Sequence, residues 1–194
     1  MKKKFNLKEQ YLKCWKHISS SKQFIFLIIE VFVLFVILGF IIPLPEVLHQ
    51  EVVEYLMEII SETDGLGAFG LMRYIFFNNL ASSFFGMVFG IALGFVPVLT
   101  TLFNGFVLGF VAEMAVSSNG VVSLWRLFPH GIFELPAIFI SLGLGLRLGL
   151  SIFDKKKDAV KNNLIESIRV FLFVIFPLLF VAAIIEGLLI FLGI

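Results

Sequence analysis

The sequence predicts an all-α fold, a polytopic helical membrane protein with about five transmembrane helices, an N-terminal interfacial helix and an outer amphipathic helix. Hydrophobic residues make up 59% of the 194 and charged residues 15%, against roughly 25% charged in an ordinary soluble domain. The apolar residues, 25 Phe among them, fall in uninterrupted runs near the ~20 residues that a helix needs to cross hydrocarbon. The basic residues cluster at alternate ends of those runs. A single membrane domain over 1–194 accounts for all three features.

Residues 1–23 form a basic arm. Leu7, Tyr11, Trp15 and Ile18 follow a helical stripe, with Lys4, Lys8, Lys13 and Lys16 around the rest of the turn. Such a helix lies on headgroups, its Trp at the interface and its lysines near anionic lipid. The arm runs directly into a span, which argues against nucleic acid as its partner. The next apolar run is long and lacks a small-residue cleavage site, so it reads as an uncleaved first span, 24–42, stopped by Pro43 and Pro45. Residues 46–64 carry Leu48, Val52, Leu56 and Ile59 on one face and Glu46, Glu51, Glu54, Glu58 and Glu62 elsewhere. That charge forbids spanning, and an amphipathic helix resting on the outer leaflet or on the bundle fits. Span 2 covers 74–96, Pro97 marks a turn, and span 3 covers 98–117. Span 4 covers 130–153, or starts at Pro136 with 130–135 re-entrant. A charged patch, Asp154 to Arg169, precedes span 5 at 170–194.

Orientation follows from the distribution of Lys and Arg. The arm holds Lys2, Lys3, Lys4, Lys8, Lys13, Lys16 and Lys22; the patch holds Lys155, Lys156, Lys157, Lys161 and Arg169, with Arg147 at the same end of its helix. Only Arg73 and Arg126 fall on the other side. Five spans therefore place the N-terminus in the cytoplasm and the C-terminus outside a cell membrane.

Helices in lipid associate through close packing, which small residues four apart permit. Gly86, Gly90 and Gly94 form a ridge on span 2, Gly105 and Gly109 on span 3, and Gly145 and Gly149 on span 4. These ridges pack the helices of one subunit, or one of them supports a homo-oligomer. Gly39, on a span without the repeat, is expected to matter less.

Ionisable groups at membrane depth cost a few kcal/mol and need partners or a role. Asn78, Asn79, Glu113, His130, Glu134 and Glu186 fall in one outer-leaflet layer at about 1.5 Å of rise per residue. Glu30 and Asn104 lie toward the cytoplasm. His130 and Glu134, four apart, share a helix face. The layer could bind a divalent metal, relay protons or coordinate a transported ion, or supply interhelical hydrogen bonds and a polar groove for another helix. No His-Glu-x-x-His is present, and one His is thin support for a metal. His17 and His49 read as surface residues. Ser82 and Ser83 have no assignable base, and no phosphate loop, catalytic triad order or dinucleotide fingerprint appears. With one cysteine, Cys14, internal disulfides and Cys-based metal clusters are excluded. No cofactor is expected, and no enzyme activity.

The order Asn78-Asn79, the ridge from Gly86, Asn104-Gly105 and then Pro129-His130-Gly131-Ile132-Phe133-Glu134-Leu135-Pro136-Ala137 resembles the stage II sporulation protein M family of bacteria and archaea. The resemblance covers Phe76 to Gly149, and its most specific part is His-Gly-x-x-Glu. In endospore formers the namesake looks like a membrane anchor or organiser for peptidoglycan-degrading partners during engulfment, the partners carrying the hydrolase activity. Relatives occur in organisms that make no spores, so the resemblance implies a non-enzymatic membrane component and leaves the process open. The expected function is a scaffold that organises envelope partner proteins through its acidic outer helix or glycine ridges. The alternative is a small transporter or channel subunit with its site in the polar layer.

Overall fold

The computed structural model describes residues 6–192, with side chains described except at 125–130 and 133. The elements are α1 (Leu7–Ser20), α2 (Lys22–Ile41), α3 (Glu46–Thr63), α4 (Ala68–Val88), α5 (Phe95–Asn119), α6 (Phe128–Leu150), α7 (Ala159–Val170) and α8 (Phe176–Phe191). Five stretches are long and apolar enough to cross a membrane: Lys22–Ile41, Ala68–Ile91, Phe95–Asn119, Glu134–Phe153 and Ala159–Phe191. The protein is an all-α, multi-pass membrane protein. The side of the bundle that carries α1 is called the arm side below, and the opposite side the far side.

α1 begins where the Asn6 side chain accepts the Lys8 N–H at 3.0 Å, satisfying one of the donors a helix start leaves open. One residue, Ser21, separates it from α2, its hydroxyl donating to the His17 carbonyl at 2.7 Å. α2 ends at Ile42, which is extended, as the residue before a proline must be. α3 follows as an isolated amphipathic helix with no buried residue. It touches the bundle through ring contacts from His49 to Phe110 and from Tyr55 to Phe103, and through Tyr74 donating to Glu62 at 2.6 Å.

Three boundaries differ from the sequence reading. The second span starts at Ala68 rather than 74: Arg73 is charged, but one exposed charge does not stop a helix, and the extended Gly67 does. The turn after it falls at Ala92–Gly94, with Leu93 and Gly94 at positive φ. Pro97 instead sits in the first turn of α5, where its missing N–H leaves nothing unpaired. The patch from Asp154 to Arg169 is not a loop throughout. It becomes helical at Ala159 and continues through a π-helical segment, Phe171–Ile175, into α8, so α7 projects the final span onto the arm side. Pro136 lies inside α6, and 130–135 is helical.

α6 is the central helix. It packs against α2, α4, α5 and α8, and 56% of its span is buried against 17–33% of the others. Glycine brings the helices together in several seams: besides the two below, a Cβ on Gly143 of α6 would stand 2.6 Å from Ile25 of α2, and one on Gly187 of α8 2.6 Å from Met72 of α4. At the seam of α6 with α4, the 3-10 turn Phe89–Ile91 that extends it and the turn after that, a Cβ on Gly90 would overlap the Gly145 carbonyl oxygen, one on Gly149 would overlap Gly90, one on Gly86 would stand 2.5 Å from Leu142, and one on Gly94 2.7 Å from Leu146. At the α2–α5 seam, a Cβ on Gly105 would stand 2.7 Å from the Phe32 oxygen, and one on Gly109 would overlap the Val36 oxygen. The ridges are thus filled by the chain's own helices. Gly39 corrects the sequence reading: its Cβ would overlap the Phe106 oxygen, so α2 approaches α5 as closely as α4 approaches α6. A lone glycine facing a ridge permits the same approach as a repeat.

Candidate functional site: a carboxyl pair among three helices

The bundle brings together three of the six residues assigned to the polar layer. Asn79 on α4, Glu134 on α6 and Glu186 on α8 converge, the Glu134 carboxyl hydrogen-bonded to both the Glu186 carboxyl and the Asn79 side chain. One Oε of Glu186 is fully buried. A turn farther toward the arm side, the Ser141 hydroxyl on α6 donates to the Ser83 carbonyl on α4 at 2.7 Å. The Ser83 hydroxyl itself is buried without a hydrogen bond.

The other candidates lie apart from this cluster. Asn78 is exposed. Glu113 accepts from Ser117 at 2.6 Å within α5. The His130 side chain lies outside the described residues, so its relation to Glu134 rests on their helical spacing alone. Glu30 is exposed on α2, and Asn104 donates to the Thr100 carbonyl at 2.8 Å.

Glu134 also lines a groove of about 230 Å³ between α5 and α6, with Thr101, Asn104, Phe32, Phe139 and Leu142 around it. An adjoining apolar groove of about 400 Å³ shares Leu108 and Leu135 and extends to Leu124 and Ile132. Both run along the side of the bundle. Among the described residues no three His, Cys, Asp or Glu groups converge as metal ligands would.

Sequence reasoning missed a second polar cluster, on the arm side. His17 is not a surface residue. It is buried, its Nε2 3.2 Å from the Ser167 hydroxyl on α7. Burial, and then the nearby Arg147 charge, push its pKa down to about 4, so the imidazole is neutral at physiological pH. Arg147, near the end of α6, donates to the Ser20 and Ser21 hydroxyls at 2.6 and 2.7 Å and to the His17 carbonyl at 3.3 Å. Burial likewise raises the pKa of the Cys14 thiol and keeps it unreactive. A signal was present: Cys14, His17, Ile18 and Ser21 form an uncharged stripe at helical spacing in a segment otherwise rich in lysine.

The carboxyl pair, its Asn79 partner and the glycine seams lie within the segment Phe76 to Gly149 that carries the resemblance, or against it in the case of Glu186. No curated protein and no solved structure matches the sequence. The family model for stage II sporulation protein M matches residues 25–189, from the first span to the end of the last, and the chain belongs to that family.

Proposed function

We propose that this member of a sporulation-related membrane-protein family is a non-enzymatic scaffold that organises envelope partner proteins, oriented with the arm side in the cytoplasm and α3 outside. The observation that carries the reading is that the converging polar groups bond to one another across helices. Glu134 joins Glu186 and Asn79, and Ser141 joins Ser83, so the layer acts as a fastening that sets helix register. α3 then supplies a surface: five glutamates and the exposed Val47, Met57 and Ile60 on a helix that buries nothing. A partner with a basic, partly apolar face fits it.

Transport is the second reading, and one observation favours it. Glu134 belongs both to the carboxyl pair and to the wall of a groove, so an ion or proton could reach it from the side. Two measurements separate the readings. Photo-crosslinkers at Met57 and Ile60 in native membranes are expected to capture one recurring partner, lost when Glu54 and Glu58 become Lys. Thermal stability is expected to be unchanged by mono- or divalent cations. A cation-specific rise of several degrees that disappears with Glu134→Gln would replace the scaffold with a binding site.

A further inference from the structure

Between α1 and α7 lies a pocket of about 290 Å³ lined by Lys13, Lys16, His17, Ser20 and Glu166. Its charges do not cancel. Lys13 is held by Glu9 at 2.8 Å, and Glu166 is paired with Arg169, so its one acidic group is already neutralised. Lys16 has no ion pair among the described residues. Behind the Ser20 hydroxyl stands Arg147, which directs one guanidinium nitrogen, Nη1, to Ser20, Ser21 and the His17 carbonyl. The pocket therefore offers the Lys16 ammonium and the Ser20 hydroxyl, which accepts from Arg147 and donates to the His17 carbonyl at 2.9 Å; that hydroxyl can turn its hydrogen to a ligand because the carbonyl keeps the Ser21 hydroxyl as a donor. This is an arrangement for a phosphate, which takes point charges and donors together.

The depth of the pocket identifies the source of that phosphate. Leu12 and Trp15 on α1 are 62% and 70% exposed and flank Lys13 and Lys16 in sequence. Apolar side chains so exposed on an otherwise basic helix belong in the interfacial region of a bilayer. Arg147 lies about one turn before the end of α6, the level at which a span meets headgroups. The geometry points to a binding site for one anionic phospholipid headgroup, its phosphate held by Lys16 and Ser20, with the Arg147 charge behind Ser20, and its acyl chains beside Trp15. The site is independent of the scaffold reading, and it would tie α1 to the membrane beside α7.

Native mass spectrometry of the full chain, released from nanodiscs of phosphatidylglycerol and phosphatidylcholine, tests it. One retained phosphatidylglycerol per chain is expected, with phosphatidylcholine not retained. The double variant Lys16→Gln, Ser20→Ala, both at exposed positions, should lower the retained fraction on the order of 10-fold, about what loss of a charge-assisted contact and a hydroxyl donor gives. Lys16→Arg should restore most of it in a Ser20 background. Lys155→Gln with Lys156→Gln removes more charge from the same side and should change retention less than about 2-fold. Equal losses in the two charge-removing variants would overturn the pocket in favour of a diffuse surface field. Retention unaffected by Lys16→Gln, Ser20→Ala would overturn it outright. Thermal stabilisation by inorganic phosphate in detergent, without retention of phosphatidylglycerol, would overturn the lipid as the ligand and leave a soluble anion.

Discussion

Gly90→Ala is a one-methyl change at the tightest point of the α4–α6 seam. The new Cβ would overlap the Gly145 oxygen and stand 2.5 Å from its carbonyl carbon and 2.6 Å from its Cα. All three are backbone atoms, so no rotamer change relieves the contact. Bringing the Gly145 oxygen, the nearest of the three, to an ordinary separation of about 3.5 Å requires the helices to part by more than about 1 Å. A gap of that size along the seam forfeits a quarter to a half of the dispersion attraction for each facing pair. Overpacking costs typically 1–3 kcal/mol, and a backbone-to-backbone clash belongs in the upper half, about 2–3 kcal/mol. For a chain of this length that is a fall in Tm of roughly 4–12 °C, measured by thermal unfolding of the purified protein in mild detergent. Gly39→Ala should fall comparably, because its Cβ overlaps the Phe106 oxygen, whereas Gly67→Ala meets nothing within 4 Å and should stay within about 0.5 kcal/mol of wild type. If Gly90→Ala unfolds with Gly67→Ala, the seam is not close-packed and the reasoning fails.

Cysteines introduced at Glu58 and Lys156 in a Cys14→Ser background test the orientation: an impermeant thiol reagent outside intact cells should label the first and reach the second only after the membrane is opened. Labelling at Lys156 in intact cells would reverse the assignment. Acidification should destabilise the protein through His17, whose folded pKa of about 4 lies below its ordinary 6.5. The unfolded chain therefore takes up the proton first as pH falls through 6.5, and stability is lost progressively down to about 4. Between pH 7 and 5 wild type should lose about 1 kcal/mol more than His17→Gln, allowing for partial screening; identical pH profiles would show that His17 is not held neutral.

How much was legible in the sequence depended on the kind of interaction. Span number and the acidic helix α3 were readable because hydrocarbon imposes length and apolarity on each segment separately. Glycine ridges were readable as ridges, but their partners were not. Nothing along the chain says that Gly39 meets Phe106 across 67 residues, or that Gly90 meets Gly145. The start of α4 lies at Ala68 rather than 74 because the extended conformation at Gly67 is what starts the helix, and Arg73 is carried within it. Within the polar layer, helical spacing grouped residues on the same helix, and depth grouped them across helices. Only azimuth decides which of them meet. Asn78 and Asn79 are adjacent in depth and about 100° apart around the helix, which is why one is exposed and the other bonds Glu134.

Stability alone does not account for the carboxyl pair. An ionisable group at membrane depth costs about 2.5–3.5 kcal/mol even on insertion scales that allow for relaxation, whereas interhelical hydrogen bonds in a membrane protein average about 0.6 kcal/mol. The contacts that Glu134 makes to Glu186 and Asn79 therefore return less than the cost of placing two carboxyls there, and glycine packing already brings α4, α6 and α8 together without them. What the pair supplies is selectivity. α6 contacts four other spans, and apolar helix faces slide past one another at little cost, so a carboxyl that must find its partner admits one register out of several. Polar groups can set register at a net cost in stability. The same accounting separates fastening from chemistry: replacing both carboxyls with leucine should leave the bundle as stable as wild type or more so. If the variant also stops engaging the partner captured through α3, register is what the pair protects; if engagement persists, the carboxyls serve a ligand instead.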